Sequence, residues 1–147
     1  MATFEEILAR DGRLVYTFRG VSMLPLLRQN RDIVIIEPPN GRLRKYDIAL
    51  YRRGTDHVLH RVVRVREHGY DIRGDNTYRL EDVPDDAVIG VLTGFSRAGR
   101  THKVDEIGYK CYARLWCAVY PLRYLWQVIR WRMIVYARRL GLRRGDK

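Results

Sequence analysis

The chain has 147 residues, with 28 Lys and Arg against 17 Asp and Glu and a formal net charge of +11. That length suits one domain with a sizeable core, and 46% hydrophobic residues exclude wholesale disorder. The charge is uneven: residues 109–147 hold 10 basic residues and 1 acidic, while residues 1–108 hold 18 and 16.

A near-neutral body therefore precedes a basic tail, which also carries Trp116, Trp126 and Trp131. The first ten residues include Glu5 and Glu6 and no apolar run, so no secretory signal peptide is expected. No uncharged apolar run approaches the ~20 residues that a spanning helix needs. Cys111 and Cys117 alone make neither a disulfide scaffold nor a zinc site, and no metal or cofactor is expected.

Taken in chain order, residues 3–9 predict a short helix, with Thr3 as its cap and Glu5 and Glu6 in the first turn. Asp11-Gly12 marks a turn. Residues 14–18 alternate and read as a strand. Residues 33–36 are an apolar, β-branched run ended by Pro38-Pro39-Asn40-Gly41. Residues 47–51 are another strand, and Gly54-Thr55-Asp56 is a loop leading into a strand over 58–65. Residues 69–72 are short and β-like, Gly74-Asp75-Asn76 is a turn, and residues 88–95 are a last long strand. Six or so strands with no helix between them predict a mainly β, antiparallel body over residues 1–108 and an α-helical tail over 109–147.

The most informative stretch is Gly20-Val21-Ser22-Met23-Leu24-Pro25. A serine after a strand, before a proline-restricted turn, can present its hydroxyl at a sheet edge. Such a hydroxyl needs a neighbouring base to become a nucleophile. The candidates are His60 and His57 on the 58–65 strand, His68 by a turn, and Lys45. A metal pair of His57 and His60 is rejected, because residues three apart on a strand face opposite sides.

Residues 20–27 (GVSMLPLL) resemble the serine box of the superfamily of signal peptidases and self-cleaving repressors. Further boxes follow in the same order. Arg31-Asp32-Ile33-Val34-Ile35 and Tyr46-Asp47-Ile48-Ala49 resemble its two Gly-Asp-apolar strands, with Arg31 and Tyr46 in place of glycine. His60-Arg61-Val62-Val63 falls where bacterial signal peptidases carry Lys-Arg-Val. Arg73-Gly74-Asp75-Asn76 resembles the Gly-Asp-Asn box, and residues 88–95 the closing strand. The resemblance spans residues 14–95, and five boxes in order are a far more specific signal than any one. Histidine at the base position makes the chain more similar to the Ser-His signal peptidases of the endoplasmic reticulum and archaea than to the Ser-Lys enzymes.

The resemblance implies a serine endopeptidase that cleaves a leader or precursor peptide through an acyl-enzyme. Ser22 would be the nucleophile and His60 the general base, with Asp75 orienting the imidazole. The Ser22 backbone N–H would supply half of an oxyanion hole. A second acid would be Asp82 or Glu81, and spacing does not choose between them. Two features depart from the pattern: Gly20 stands where bacterial enzymes often carry a hydroxyl residue, and the usual amino-terminal membrane anchor is not expected from residues 1–21. The alternatives are a non-catalytic membrane- or partner-binding module with the same fold, or a self-cleaving regulator. The second would need a DNA-binding domain and a cleavage site ahead of Ser22, and only 21 residues stand there.

In the tail, residues 109–140 read as helix with a break at Pro121. After it, Leu122, Leu125, Trp126, Ile129, Met133, Tyr136, Ala137 and Leu140 form one apolar stripe. Arg123, Gln127, Arg130 and Arg138 flank it on one side, and Arg132 and Arg139 on the other. Tyr124, Val128, Trp131 and Val135 form a second apolar face. Such a helix suits a membrane interface, with Trp126, Trp131, Arg123 and Arg130 as contacts. Packing on the body ranks second. Nucleic acid ranks last, since no nucleic-acid motif is present. The expected setting is peripheral to a membrane, on its cytoplasmic side.

Overall fold

The computed structural model describes residues 2–139. Helix α1 (Phe4–Asp11) starts in a reciprocal cap. The Thr3 hydroxyl accepts from the Glu6 N–H at 3.2 Å, and the Glu6 carboxylate accepts from the Thr3 N–H at 2.9 Å. Eight strands follow: β1 (Leu14–Thr17), β2 (Ile33–Glu37), β3 (Ile48–Arg53), β4 (Asp56–Arg66), β5 (Gly69–Arg73), β6 (Glu81–Pro84), β7 (Val88–Arg97) and β8 (Arg100–Lys103). They form one sheet in the order β1-β2-β7-β3-β4-β5-β6, with β8 paired to β7, and every pairing is antiparallel. The fold is mainly antiparallel β with C-terminal helices, as the sequence predicts.

Strands β6 and β8 were not expected, and both lack an apolar rhythm. β6 is Glu-Asp-Val-Pro with Val83 as its one buried residue, and β8 is Arg-Thr-His-Lys with none. Strand β8 pairs because Ala98 (φ 49°) and Gly99 (φ 78°) supply the left-handed pair of a two-residue hairpin. Long-range pairing, not local propensity, makes these two strands.

The sheet separates two cores. Ile48 and Leu50 of β3 face one, with Phe18, Met23, Leu27, Leu59 and Leu92. Ala49 and Tyr51 face the other, with Val62, Tyr70, Ile72 and Val83. Strand β3 is thus covered on both sides, and β4 beside it reads alternately into each core.

The segment carrying Ser22 leaves β1 and returns to β2. Its neck is closed by backbone hydrogen bonds from Phe18 N–H to Asp32 O (2.8 Å) and from Asn30 N–H to Phe18 O (2.9 Å). The fully buried Asp32 carboxylate accepts from the Arg28 N–H at 3.0 Å and from Arg31 Nε at 2.6 Å. Buried Met23 and Leu27 press the loop into the first core. The serine is therefore presented on an anchored loop.

The chain divides into two units after Arg114, not at the expected 108/109 boundary. Helix α2 (Ile107–Ala118) begins inside the first unit, because Tyr109 and Tyr112 pack against the first core. Helix α3 (Tyr120–Arg139) follows after Val119. The break thus falls just before Pro121, which sits in the first turn of α3, where its missing N–H removes no hydrogen bond. Within the second unit, the Arg123 guanidinium lies 3.8 Å from the Trp116 ring centre and that of Arg130 lies 5.4 Å from Trp126. Leu140 and the side chain of Arg139, both assigned to the helical stripe and its flank, lie outside the described residues. No helix among the described residues is long and apolar enough to cross a membrane.

Candidate active site

Ser22 and His60 line one cavity of about 410 Å³, together with Thr77 and Glu81. Gly74 lies between the two. A Cβ built on it would stand 2.7 Å from the Ser22 carbonyl oxygen and 3.1 Å from His60 Cδ2. Only glycine lets the turn after β5 press against both. The same turn holds the serine loop directly: the Asn76 N–H donates to the Ser22 carbonyl at 2.8 Å, and its amide donates to the Val21 carbonyl at 3.2 Å.

His60 is buried on β4, opposite Ala49 of β3. Tyr51, opposite Val58, is its diagonal neighbour on the same face. The Tyr51 hydroxyl donates to Glu81 Oε2 at 2.9 Å and lies 3.2 Å from His60 Nδ1. One hydroxyl proton cannot serve both contacts. Were it turned toward the ring, the hydroxyl oxygen would face the carboxylate with no proton between them. The hydroxyl therefore accepts from Nδ1–H, and Nε2 is left with its lone pair. Glu81 Oε1 stands 3.6 Å from the same ring nitrogen and 3.1 Å from Arg53 Nη1.

Burial pushes the His60 pKa below its ordinary 6.5, with the Glu81 carboxylate pulling the other way and Arg53 adding to the fall. At neutral pH the ring is an uncharged base. Burial, then the hydrogen bond to Glu81, raise the Tyr51 pKa far above its usual value, so this hydroxyl keeps its proton.

Asp75, expected to orient the imidazole, is engaged elsewhere. Its two carboxylate oxygens accept from Arg61 Nε and Nη2 at 2.7 Å each, and Oδ2 also accepts from the Tyr112 hydroxyl at 3.0 Å. Strand alternation explains this, since His60 and Arg61 are neighbours on β4 and point to opposite faces. Arg61 is fully buried and stacks near the rings of Tyr109 and Tyr112 at 5.6 and 5.7 Å. Its Nη1 donates to the Tyr46 carbonyl at 2.9 Å and to the Tyr109 hydroxyl at 3.2 Å. Asp75 is thus the anchor of the Gly74–Asn76 turn, and Glu81 is the carboxylate held against Nδ1.

Of the two acids, the same alternation brings only Glu81 to the cavity lining. Asp82 points away from the cavity, with a side chain 71% exposed and paired with Arg66. Of the other base candidates, His68 is exposed beside Glu67, and Lys45 lies over the Tyr46 ring. His57 Nε2 contacts Glu5 at 3.0 Å and its ring meets Phe4, which ties α1 to β4. Gly20, where the resemblance expects a hydroxyl residue, has φ +102°, a conformation L side chains rarely adopt. Tyr46, where the resemblance expects glycine, has φ 83°. Tyr51 was the residue missed, because an aromatic in a strand reads as core. Its diagonal relation to His60 follows from register alone. Comparison with family models, with curated proteins and with solved structures finds no match to this chain.

Removing one partner of a buried ion pair leaves an uncompensated charge. Asp75→Ala should lower unfolding stability by about 3–5 kcal/mol in urea titrations. The double change Arg61→Met/Asp75→Leu should cost clearly less than the single one.

Proposed function

We propose that the chain is a serine endopeptidase of the signal-peptidase type, acting on a leader or precursor peptide. The observation that carries this reading is the Tyr51–Glu81 pair held against His60 Nδ1, in the wall of the cavity that Ser22 also lines. A buried histidine with a purely structural role needs a partner, but it has no need to share a cavity lining with an anchored serine.

In this mechanism His60 Nε2 takes the Ser22 Oγ proton as Oγ attacks the scissile carbonyl. The Ser22 N–H donates to the developing oxyanion. The imidazolium formed is stabilised by Glu81 and by Tyr51, whose hydroxyl already accepts from Nδ1–H. His60 then gives its proton to the leaving amine, and the C–N bond breaks. Water, deprotonated by His60, releases the acyl group and restores Ser22.

An aryl phosphonate ester probe should label Ser22, and Ser22→Ala should abolish labelling. His60→Ala should slow it by about 10²-fold or more. The rate should rise with pH through a midpoint below 6.5, because deprotonated His60 is the active form and its pKa is lowered. Full labelling of both variants would refute the dyad and favour the non-catalytic module.

For the tail we propose peripheral contact with an anionic membrane surface. Trp126 is 60% exposed and Trp131 64%, and Leu122, Leu125 and Met133 are exposed with them. Arg123 and Arg130 sit beside this apolar surface, an arrangement that favours a membrane interface. Vesicles containing phosphatidylserine should sediment the protein where phosphatidylcholine vesicles do not. Arg130→Glu/Arg132→Glu should weaken that binding by about tenfold or more, at ~1 kcal/mol per basic residue. Equal binding to both vesicle types would contradict the proposal.

A further inference from the structure

The cavity beside Ser22 and His60 has a floor of Phe18, Val58 and Leu59, but three arginines also line it: Arg19, Arg53 and Arg79. Their situations differ. Arg53 is neutralised by Glu81, the one carboxylate in the lining, at 3.1 Å. Arg19 and Arg79 are exposed, and among the described residues neither has a hydrogen-bond or ion-pair partner. Both histidines in the lining are also engaged, His57 with Glu5 and His60 with Tyr51. The cavity therefore carries two uncommitted positive charges and no uncommitted negative one. A low-dielectric recess focuses such a field on whatever enters it.

We propose that this cavity selects peptides with an acidic side chain close to the scissile bond, held by Arg19 and Arg79. The inference rests on the peptidase reading and adds the substrate class to it. The apolar floor receives the small or aliphatic part of the segment, while the guanidinium groups pair with an Asp or Glu beside it. Arg suits this role, because its planar fork can grip a carboxylate through two parallel hydrogen bonds. A basic side chain at the same place meets like charge, so specificity comes from repulsion as well as attraction. The near-neutral body thus carries a positive field at this cavity.

The experiment has a binding arm and a cleavage arm. In the first, the full chain with Ser22→Ala is titrated with two peptides carrying a neutral dye, identical except for a central Asp or Lys. The Asp peptide should bind more tightly. Arg19→Glu/Arg79→Glu in that background should weaken it by about fivefold or more and should improve binding of the Lys peptide. Arg13→Glu/Arg100→Glu, at two exposed arginines outside the cavity lining, should leave both affinities unchanged. Equal affinity for the two peptides, or a loss caused equally by the Arg13/Arg100 changes, overturns the inference. In the second arm, a peptide library is digested and cut sites are read by mass spectrometry. Cuts made by the wild type and absent with Ser22→Ala should cluster next to acidic residues, and this enrichment should vanish in Arg19→Glu/Arg79→Glu. Serine-dependent cutting without that enrichment overturns the inference and leaves the peptidase reading standing. Cutting identical in wild type and Ser22→Ala removes the peptidase reading, and the binding arm then decides the acidic preference alone.

Discussion

The ion pair between Arg61 and Asp75 is the contact on which the site depends. Both side chains are buried, with two parallel hydrogen bonds of 2.7 Å between them. Neither charge could stay buried alone, so the pair fixes β4 against the turn after β5. That turn in turn holds the Ser22 carbonyl through Asn76 and presses Gly74 between the serine backbone and the His60 ring. Serine and histidine come from loops and strands far apart in sequence, and this one pair brings their supports together. Tyr109 and Tyr112 of α2 complete its polar shell, which explains why the compact body continues to Arg114.

Under the proposed mechanism two carboxylates divide the work that a single acid performs in a Ser-His-Asp triad. Asp75 places the turn, and Glu81, together with Tyr51, orients the imidazole. The division follows from strand geometry: adjacent residues on β4 cannot face the same side, so His60 and Arg61 require separate partners. It also affects the electrostatics. A phenol between the ring and the acid would give Nδ1–H a neutral acceptor, and Glu81, 3.6 Å from that nitrogen, would stabilise the imidazolium of the proposed reaction. Burial keeps the resting ring uncharged, which a base needs.

Much of the fold was legible in the sequence. Alternation and turn residues identified α1 and six of the eight strands, because those segments carry apolar side chains toward a core. β6 and β8 were hidden, since their pairing comes from neighbours and a hairpin turn. The ordered boxes put forward Ser22, His60 and Asp75; the structure brings Ser22 and His60 to one cavity and pairs Asp75 with Arg61. The placing of Asp75 and of Tyr51 was not legible, because both depend on which face of β4 a residue takes and on register with β3. No one-dimensional spacing holds that information. The same limit applied to Asp82 and Glu81, which differ by one position and therefore by one whole face of the sheet.

The central claim is that Tyr51 and Glu81 hold a neutral His60 with its proton on Nδ1. Long-range proton–nitrogen correlation spectra of histidine-labelled protein read this directly, and the chain has only four histidines to resolve. At neutral pH the His60 ring should show a protonated Nδ1 and an unprotonated Nε2, and Tyr51→Phe should redistribute that proton. A ring protonated at Nε2, or an imidazolium at neutral pH, with no response to Tyr51→Phe, would contradict the account.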